Sequence, residues 1–559
     1  MNRARAVRYD NGDMEKEIAG FDISGSHPVH ARKGGFQPQA LSFARRYGGR
    51  VRTENGGLGH RTAGHELLDL HFQVSSLRGR NEEYIENHFV RAFYEERHYA
   101  VKWLFYLRDI AQGLGERRSF RVCMRYLAKS QPEIAREVME LIPRYGRYDD
   151  LMLYLDTPLQ EEMGALVARQ LKADREAMEA GRPVSLLAKW LPGINTSSSV
   201  TRAMAVRMAR MLGMDRREYR RTLSALRAYM DVTEVKMTAG QWGQVEYEKV
   251  PAKANLRYDA AFARHDRARR EDYLRRVYLE EGKLNIGGIM PYEIVHKIYC
   301  GSNSRCWNAS LQENLLAELM WQKLLREGFK NEWGLEDCIV VADGSGSMYS
   351  PVDGSGLVSA IEVCHSLAIY FAAQLQGIFH DTAISFSETP RLIDLSRGRT
   401  LKERLEIMRA YDEVANTNIQ AVFRLLLDMA VSGEVPPEQI PGQVLVISDM
   451  EFDAAIGERC GQTFNRTVFE SIAEEYARAG YPMPRLIFWN ACGRSDAIPA
   501  VTGEQGVCLL SGFSQNAIRE ASHRETKDPW ESLRRTLDGP RYAPVEEALA
   551  RAGRKDATL

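Results

Sequence analysis

The chain has 559 residues, too many for one hydrophobic core, so at least two domains are expected. An apolar fraction of 44% and a charged fraction of 27% exclude disorder throughout. Lys+Arg and Asp+Glu balance at 75 each, so overall charge names no partner and departs from what a simple polyanion binder shows.

Residues 1–60 are rich in Gly, Arg, Ser and His ("HARKGG", "RRYGGRVRTENGGLGH"), without sustained periodicity. This predicts an extended basic arm, suited either to lying along RNA or simply to solubilising the chain. Residues 1–61 hold eleven Lys/Arg against six Asp/Glu. The N-terminus has no apolar h-region, and the stretch "LAIYFAAQLQGIF" is too short and polar to span a bilayer, so a soluble cytoplasmic protein is expected. The eight cysteines are scattered, with no C-x-x-C pair, as befits reduced core thiols.

Residues 61–330 read as an all-α domain of amphipathic helices: "EYIENHFVRAFYEERHYAVKWLFYLRDIAQGL", "RSFRVCMRYLAKS", "QPEIAREVMELIPRYG" and "EEMGALVARQLKADREAMEAG". "GRYDDLMLYLDTP" reads as a connection between helices. The spacing of breaks predicts a HEAT-like helical-repeat solenoid of irregular repeats. In "GMDRREYRRTLSALRAYM", Asp215 followed by Glu218 has the form of a capping box and starts a new helix. Residues 201–229 carry eight Arg against two acids, spread over that helix and the one before. Two basic ridges of this kind suit phosphate binding, or else form a solvated face whose stems cover apolar surface.

From about Glu336 short apolar runs alternate with helices: "CIVVA", a helix over 357–376, "TAISFS", helices over 401–409 and 419–431, "QVLVIS", a helix over 467–479, "RLIFWNA" and "GVCLLSG". Strands apolar on both faces predict a parallel, doubly wound α/β sheet over residues 331–559, with C-terminal helices and ligands at the carboxyl ends of the strands. At the end of the first strand, "ADGSGSM" places Asp343, Ser345 and Ser347 as D-x-S-x-S, a hard-oxygen set suited to Mg²⁺ or Mn²⁺. A P-loop fails for want of a lysine after Gly346. A nucleophile elbow fails because Asp343 and Ser347 stand where glycines belong, and an EF-hand fails at Met348 and Gly354. Thr417 precedes a helix and Asp449 ends another apolar strand.

Together D-x-S-x-S…T…D resembles the metal-ion-dependent adhesion site (MIDAS) of von Willebrand factor A domains. That resemblance implies direct ligation by Ser345, Ser347 and Thr417, with Asp343 and Asp449 held mainly through waters, and one open position for a partner's oxygen. Asn416, Asn418 and Glu451 are second-rank polar neighbours or plain cap and loop residues. The order of helical array then A-domain resembles the Ro ribonucleoprotein family, whose helical part is the TROVE module. "AVKWLFYLRDIAQGLGERRSFRVCMRYLA", "YGRYDDLMLYL" and "LLAKWLPGINTSSSVTRAMAVRMARMLGM" carry it.

The resemblance implies a helical ring bridged by the A-domain, binding noncoding or misfolded RNA. Candidate RNA contacts are Arg108, Arg117, Arg118 and Arg121, with an internal salt-bridge network involving Asp109 and Glu116 as the alternative. Lys189, Arg202, Arg207, Arg210, Arg217, Arg220 and Arg221 are candidate phosphate contacts, Lys189 also reading as a helix-end cap. A non-catalytic RNA-binding scaffold is therefore expected. The alternative is a protein-interaction scaffold whose metal captures an acidic partner residue without RNA. His60, His65, His265 and His296 show no partner at a recognisable spacing, so no enzyme is expected.

Overall fold

The computed structural model describes residues 50–52, 58–299, 310–328, 337–352, 358–413, 418–450, 466–493, 498–499, 506–521 and 528–556. Strands β1 (Arg50–Arg52) and β2 (Leu58–His60) pair antiparallel, and His60 exchanges both backbone hydrogen bonds with Ile498. The end of the expected basic arm is thus a hairpin attached to the C-terminal half. The rest of that arm lies outside the described residues.

The helical array opens with α1 (Glu66–Phe72), α2 (Glu82–Glu95), α3 (Arg97–Arg108), α4 (Arg118–Ser130) and α5 (Pro132–Val138). Asn81 starts α2 by accepting the Tyr84 N–H at 2.8 Å, and Ile85, Phe89 and Phe93 recur on its buried stripe. In α3 every residue from Ala100 to Arg108 is buried, so this helix is enclosed rather than amphipathic. Proline at the first position of α5 sets its start without losing a hydrogen bond. The segment Tyr148–Asp156, expected to be a connection, is a 3₁₀ helix that buries Leu151, Leu153, Tyr154 and Leu155. Asp150 makes it regular by accepting the Arg147 N–H at 3.0 Å.

Helices α6 (Gln160–Glu179), α7 (Ser199–Met211), α8 (Arg216–Tyr229), α9 (Ala252–His265), α10 (Arg267–Tyr278), α11 (Pro291–Tyr299) and α12 (Leu315–Gly328) continue the array. Asp215 caps α8 as expected, accepting the Arg217 and Glu218 N–H groups at 2.7 and 2.8 Å.

The α/β layer is a six-stranded sheet of order β5-β4-β3-β6-β7-β8, built from Leu392–Asp394, Thr382–Ser385, Cys338–Ala342, Gln443–Ser448, Arg485–Asn490 and Val507–Ser511 respectively. β3 lies between β4 and β6, with Val340 opposite both Ala383 and Leu445. All pairings are parallel except β4–β5, a departure from the purely parallel expectation. The link between β4 and β5 holds only residues 386–391 and no helix, and a connection that short closes only an antiparallel pair. Helices α13 (Ala360–Ala372), α14 (Leu401–Arg409), α15 (Ile419–Ser432), α16 (Arg466–Ala479), α17 (Pro529–Leu537) and α18 (Ala543–Asp556) complete this half.

Residues 48–559 form one compact unit. Helix α1 packs on β8 and α17, α3 on α17 and α18, and α5 on α18. At the other end of the array α11 packs on α13. The ends of the array also meet directly. A Cβ on Gly115 would meet Met290 at 2.6 Å, one on Gly288 would meet Ile110 at 3.2 Å, and Arg78 lies 5.9 Å over the Tyr292 ring. Among the described residues no helix is long and apolar enough to cross a membrane. The described cysteines, Cys123, Cys338, Cys364, Cys492 and Cys508, are buried, in keeping with the expected core role.

Candidate functional site: the sheet-edge loops and the arginine ridge

The first loop follows β3 because the apolar run that fills the middle of the sheet stops at Ala342 and polarity begins at Asp343. Asp343 is buried at the sheet edge, and its backbone N–H still pairs with Ile447 O on β6 at 3.1 Å. Its carboxylate is held at both oxygens: Ser345 N–H donates to Oδ1 at 2.9 Å and Ser448 Oγ donates to Oδ2 at 2.6 Å. The hydroxyls of Ser345 and Ser347 stand 2.9 Å apart. Burial pushes the Asp343 carboxyl above its usual range. The hydrogen bonds from Ser448 and Ser345 oppose that rise, and the charge of Asp412 adds to it.

Asp449 follows β6 and is buried as well. The next residue, Met450, is buried yet carries φ of 63°, a left-handed backbone that costs a non-glycine residue energy. Its N–H is taken by Ser448 Oγ at 3.0 Å, so Ser448 ties the Asp343 carboxylate to the turn that carries Asp449. Burial drives the Cys364 thiol on α13 well up, and the charges of Asp343, Asp412 and Asp449 add to the effect. Thr417, with Asn416 and Glu451, lies outside the described residues. Asn418 is the N-cap of α15, accepting the Ala421 N–H at 3.0 Å, so of its two readings the helix cap is observed.

The donor set of carboxylates and paired hydroxyls is hard oxygen and fits a small divalent cation better than a soft one. Among the described residues no group of three or more His, Cys, Asp or Glu is arranged to hold a metal. Ser345 and Ser347 are positioned to supply hydroxyls, and an ion would offset the burial of the Asp343 charge and the smaller effect of Asp412 beside it.

Sequence reasoning did not single out Asp412 and His365. A Cβ built on Gly344 would lie 2.5 Å from Asp412 Oδ1 and 2.8 Å from its Cα, so only glycine lets the first loop sit against this residue. The one available signal was a lone histidine inside the apolar run "EVCHSLAIYFA", since a buried imidazole requires a polar partner. Of the four histidines named above, two do have acidic neighbours: His65 lies 3.3 Å from Glu95, and His296 lies 2.6 Å from Glu362, 66 residues along the chain.

The candidate RNA residues divide into two groups. Arg108 is buried and bonds Asp150 at 2.8 Å, while Arg121 bonds the other Asp150 oxygen at 2.6 Å and Asp149 at 3.0 Å. Arg117 lies 3.7 Å from Asp149, which Arg147 also holds at 2.7 Å, and Arg118 donates to Leu77 O at 3.1 Å. The internal ion network weighed as the alternative is therefore what stands here, with Asp149 and Asp150 as its acids. The two acids named for it at the sequence level work elsewhere, Asp109 pairing with Arg541 at 2.7 Å and Glu116 with Arg78 at 2.6 Å. Arg108 is withdrawn from any ligand because its guanidinium is spent inside the protein. Arg117 and Arg118 stay exposed at the margin.

The second group is different. Tyr219, Leu223 and Leu226 bury one face of α8, which turns Arg216, Arg217, Arg220 and Arg221 to solvent. Arg202 and Arg210 on α7 are exposed too, Arg202 donating to the Ser197 carbonyl at 3.3 Å. Among the described residues none of these six makes a close ion pair, although the charges of Arg217 and Arg221 help lower the Asp215 carboxyl, after its hydrogen bonds from the Glu218 and Arg217 N–H groups. Arg207 differs: Asp156, Leu155 O and Gln160 hold it, so it braces α7 against the start of α6. Lys189 is partly buried in the last turn of the short helix Leu187–Trp190, 3.9 Å from Glu234 and 5.6 Å from the Trp190 ring centroid. Arg227 packs back onto Ala188 O and Leu191 O at 2.8 Å each.

Two family models match, both described as domains of unknown function: DUF2828 over residues 158–330 and DUF7788 over residues 337–532. The chain is 25% identical over 529 residues to the uncharacterized protein L728 of Acanthamoeba polyphaga mimivirus, covering 88% of each chain. Among solved structures it is similar to the crystal structure of the Ro (RSR) protein of Deinococcus radiodurans, at 14% identity over 80% of this chain and 94% of that one, with a TM-score of 0.44.

Proposed function

We propose that this chain is a non-catalytic RNA-binding scaffold that holds noncoding or misfolded RNA on its helical array, with a divalent cation, Mg²⁺ or Mn²⁺, in the loops at the sheet edge. The observation that carries the reading is the ridge of Arg202, Arg210, Arg216, Arg217, Arg220 and Arg221, exposed on two adjacent helices. Exposed arginines that make no close ion pair among the described residues keep their attraction for a phosphate backbone, and phosphate contacts supply sequence-independent affinity. The meeting of the two ends of the array supports the closed arrangement that the resemblance to Ro proteins implies. Fluorescence anisotropy against single-stranded and structured RNA at low salt tests the reading. Binding that weakens steeply with added salt is expected, and absent or salt-insensitive binding overturns it.

The paired hydroxyls of Ser345 and Ser347 beside Asp343 favour a second reading of the same scaffold. In it, a cation in these loops presents an open position to a carboxylate of a protein partner. EDTA treatment and the double change Ser345→Ala, Ser347→Ala both abolish capture of such a partner if this is correct. Capture that survives both removes the second reading.

A further inference from the structure

A chain of buried polar side chains runs from the last part of the helical array to the cation loop. Tyr299, near the end of α11, has its hydroxyl 3.1 Å from His365 Nδ1 on α13. His365 Nε2 stands 3.1 Å from Asp412 Oδ1, and Tyr349 Oη donates to Asp412 Oδ2 at 2.7 Å. A carboxylate only accepts, so the His365 proton sits on Nε2. In the neutral imidazole Nδ1 then accepts from Tyr299, and every bond in the chain points toward Asp412. His365 is fully buried, and Tyr299 and Asp412 are buried with it.

A second bridge between the same helices, His296 to Glu362 at 2.6 Å, lies three residues earlier on each helix, so α11 and α13 run side by side in register. Glu362 also accepts the Ser359 N–H at 3.1 Å, anchoring the start of α13. Asp412 has both oxygens engaged by donors and presses against Gly344, between Asp343 and Ser345.

We propose that Asp412 is a positioning residue for the cation loop, and that through His365 and Tyr299 it couples the geometry of that loop to the closing helix of the array. The inference rests on the reading of the loop as a divalent-cation site. Asp412 does not ligate the ion. It fixes where Gly344, and with it the Asp343 carboxylate and the Ser345 hydroxyl, stand. Moving α11 shifts Tyr299 and hence His365, so a ligand that repositions the array alters cation affinity, and the cation reciprocally alters the array.

The test is Mn²⁺ binding to the full chain, followed by electron paramagnetic resonance of the free ion, beside the melting temperature with and without Mn²⁺. Asp412→Asn is expected to weaken Mn²⁺ binding about 10- to 100-fold, and Tyr299→Phe, remote from the loop, about 5-fold or more. A merely structural role lowers the metal-free melting temperature and leaves the Mn²⁺-dependent rise intact, whereas positioning shrinks that rise. Tyr299→Phe removes one hydroxyl and decides the matter if Asp412→Asn does not fold. Unmutated chain that binds Mn²⁺ with both variants within about twofold of it overturns this inference alone. Loss in Asp412→Asn without loss in Tyr299→Phe overturns the coupling to the array. Absence of Mn²⁺ binding by the unmutated chain overturns the cation reading and this inference with it.

Discussion

Changing Arg216, Arg217, Arg220 and Arg221 together to Gln removes four positive charges from one face of α8 without touching its buried face, Tyr219, Leu223 and Leu226. The ridge presents six exposed arginines in all, Arg202 and Arg210 being the other two. If each neutralises one phosphate of single-stranded RNA, log K falls against log salt with a slope of about −4.2 for the intact ridge and about −1.4 for the variant. Between 50 and 200 mM salt, that corresponds to a loss of affinity of about 300-fold for the unmutated chain and about 7-fold for the variant. The assay is anisotropy of a labelled single strand at four or five salt concentrations, with circular dichroism to confirm that the helices persist. A variant slope equal to that of the unmutated chain refutes the ridge as the binding surface, whatever the affinity at one salt.

Three further outcomes follow from the geometry. Asp150→Asn strands the Arg108 guanidinium, which has 3% of its side chain exposed, and is expected to cost about 3–5 kcal/mol in urea unfolding while leaving the RNA salt slope unchanged. A slope altered in parallel would bring that network into the binding site. Gly344→Ala drives a methyl group into Asp412 and is expected to abolish Mn²⁺ binding, with only a modest fall in the unfolding midpoint; retained binding would show that the close approach is not needed. Burial raises Asp69 from 3.8 to about 7, so the folded state holds a proton that the unfolded chain has lost across that interval. Stability therefore falls as pH rises from about 4 to about 7, and Asp69→Asn flattens the slope in pH-dependent melts; an unchanged slope would place the titrating group elsewhere.

The parts of the fold that the sequence disclosed are those where one local pattern decides. β3, β6 and β7 stand out because strands buried on both faces need unbroken apolar runs, and α8 because its apolar positions recur at helical spacing with arginines between them. β5 did not, since three residues with an exposed first position carry no periodicity. Arg108 and Arg217 look alike as letters in a basic segment. What separates them is Asp150, 42 residues beyond Arg108, and no spacing rule links the two. Asp412 was equally hidden, because its importance comes from His365, Tyr349 and Gly344, which meet it only in three dimensions.

The change of periodicity near residue 336 marks a change of local structure without a change of core. Buried side chains form one continuous cluster from Ala63 to Ala552, and polar groups cross between the halves within it. Tyr106 on α3 donates to Glu520 at 2.5 Å, His71 on α1 lies 3.1 Å from the same carboxylate, and Lys102 on α3 reaches Asp538 at 2.7 Å. The other end of the array is tied down through Tyr299 and His296 on α11. An array fixed at both ends to one sheet cannot open or tighten without straining helices at that sheet. Cores are packed too closely to deform smoothly, so any rearrangement on binding a long polyanion is expected to pass between discrete arrangements. Among the described residues the α11–α13 contact leads, through His365 and Asp412, to the loop carrying Asp343 and Ser345.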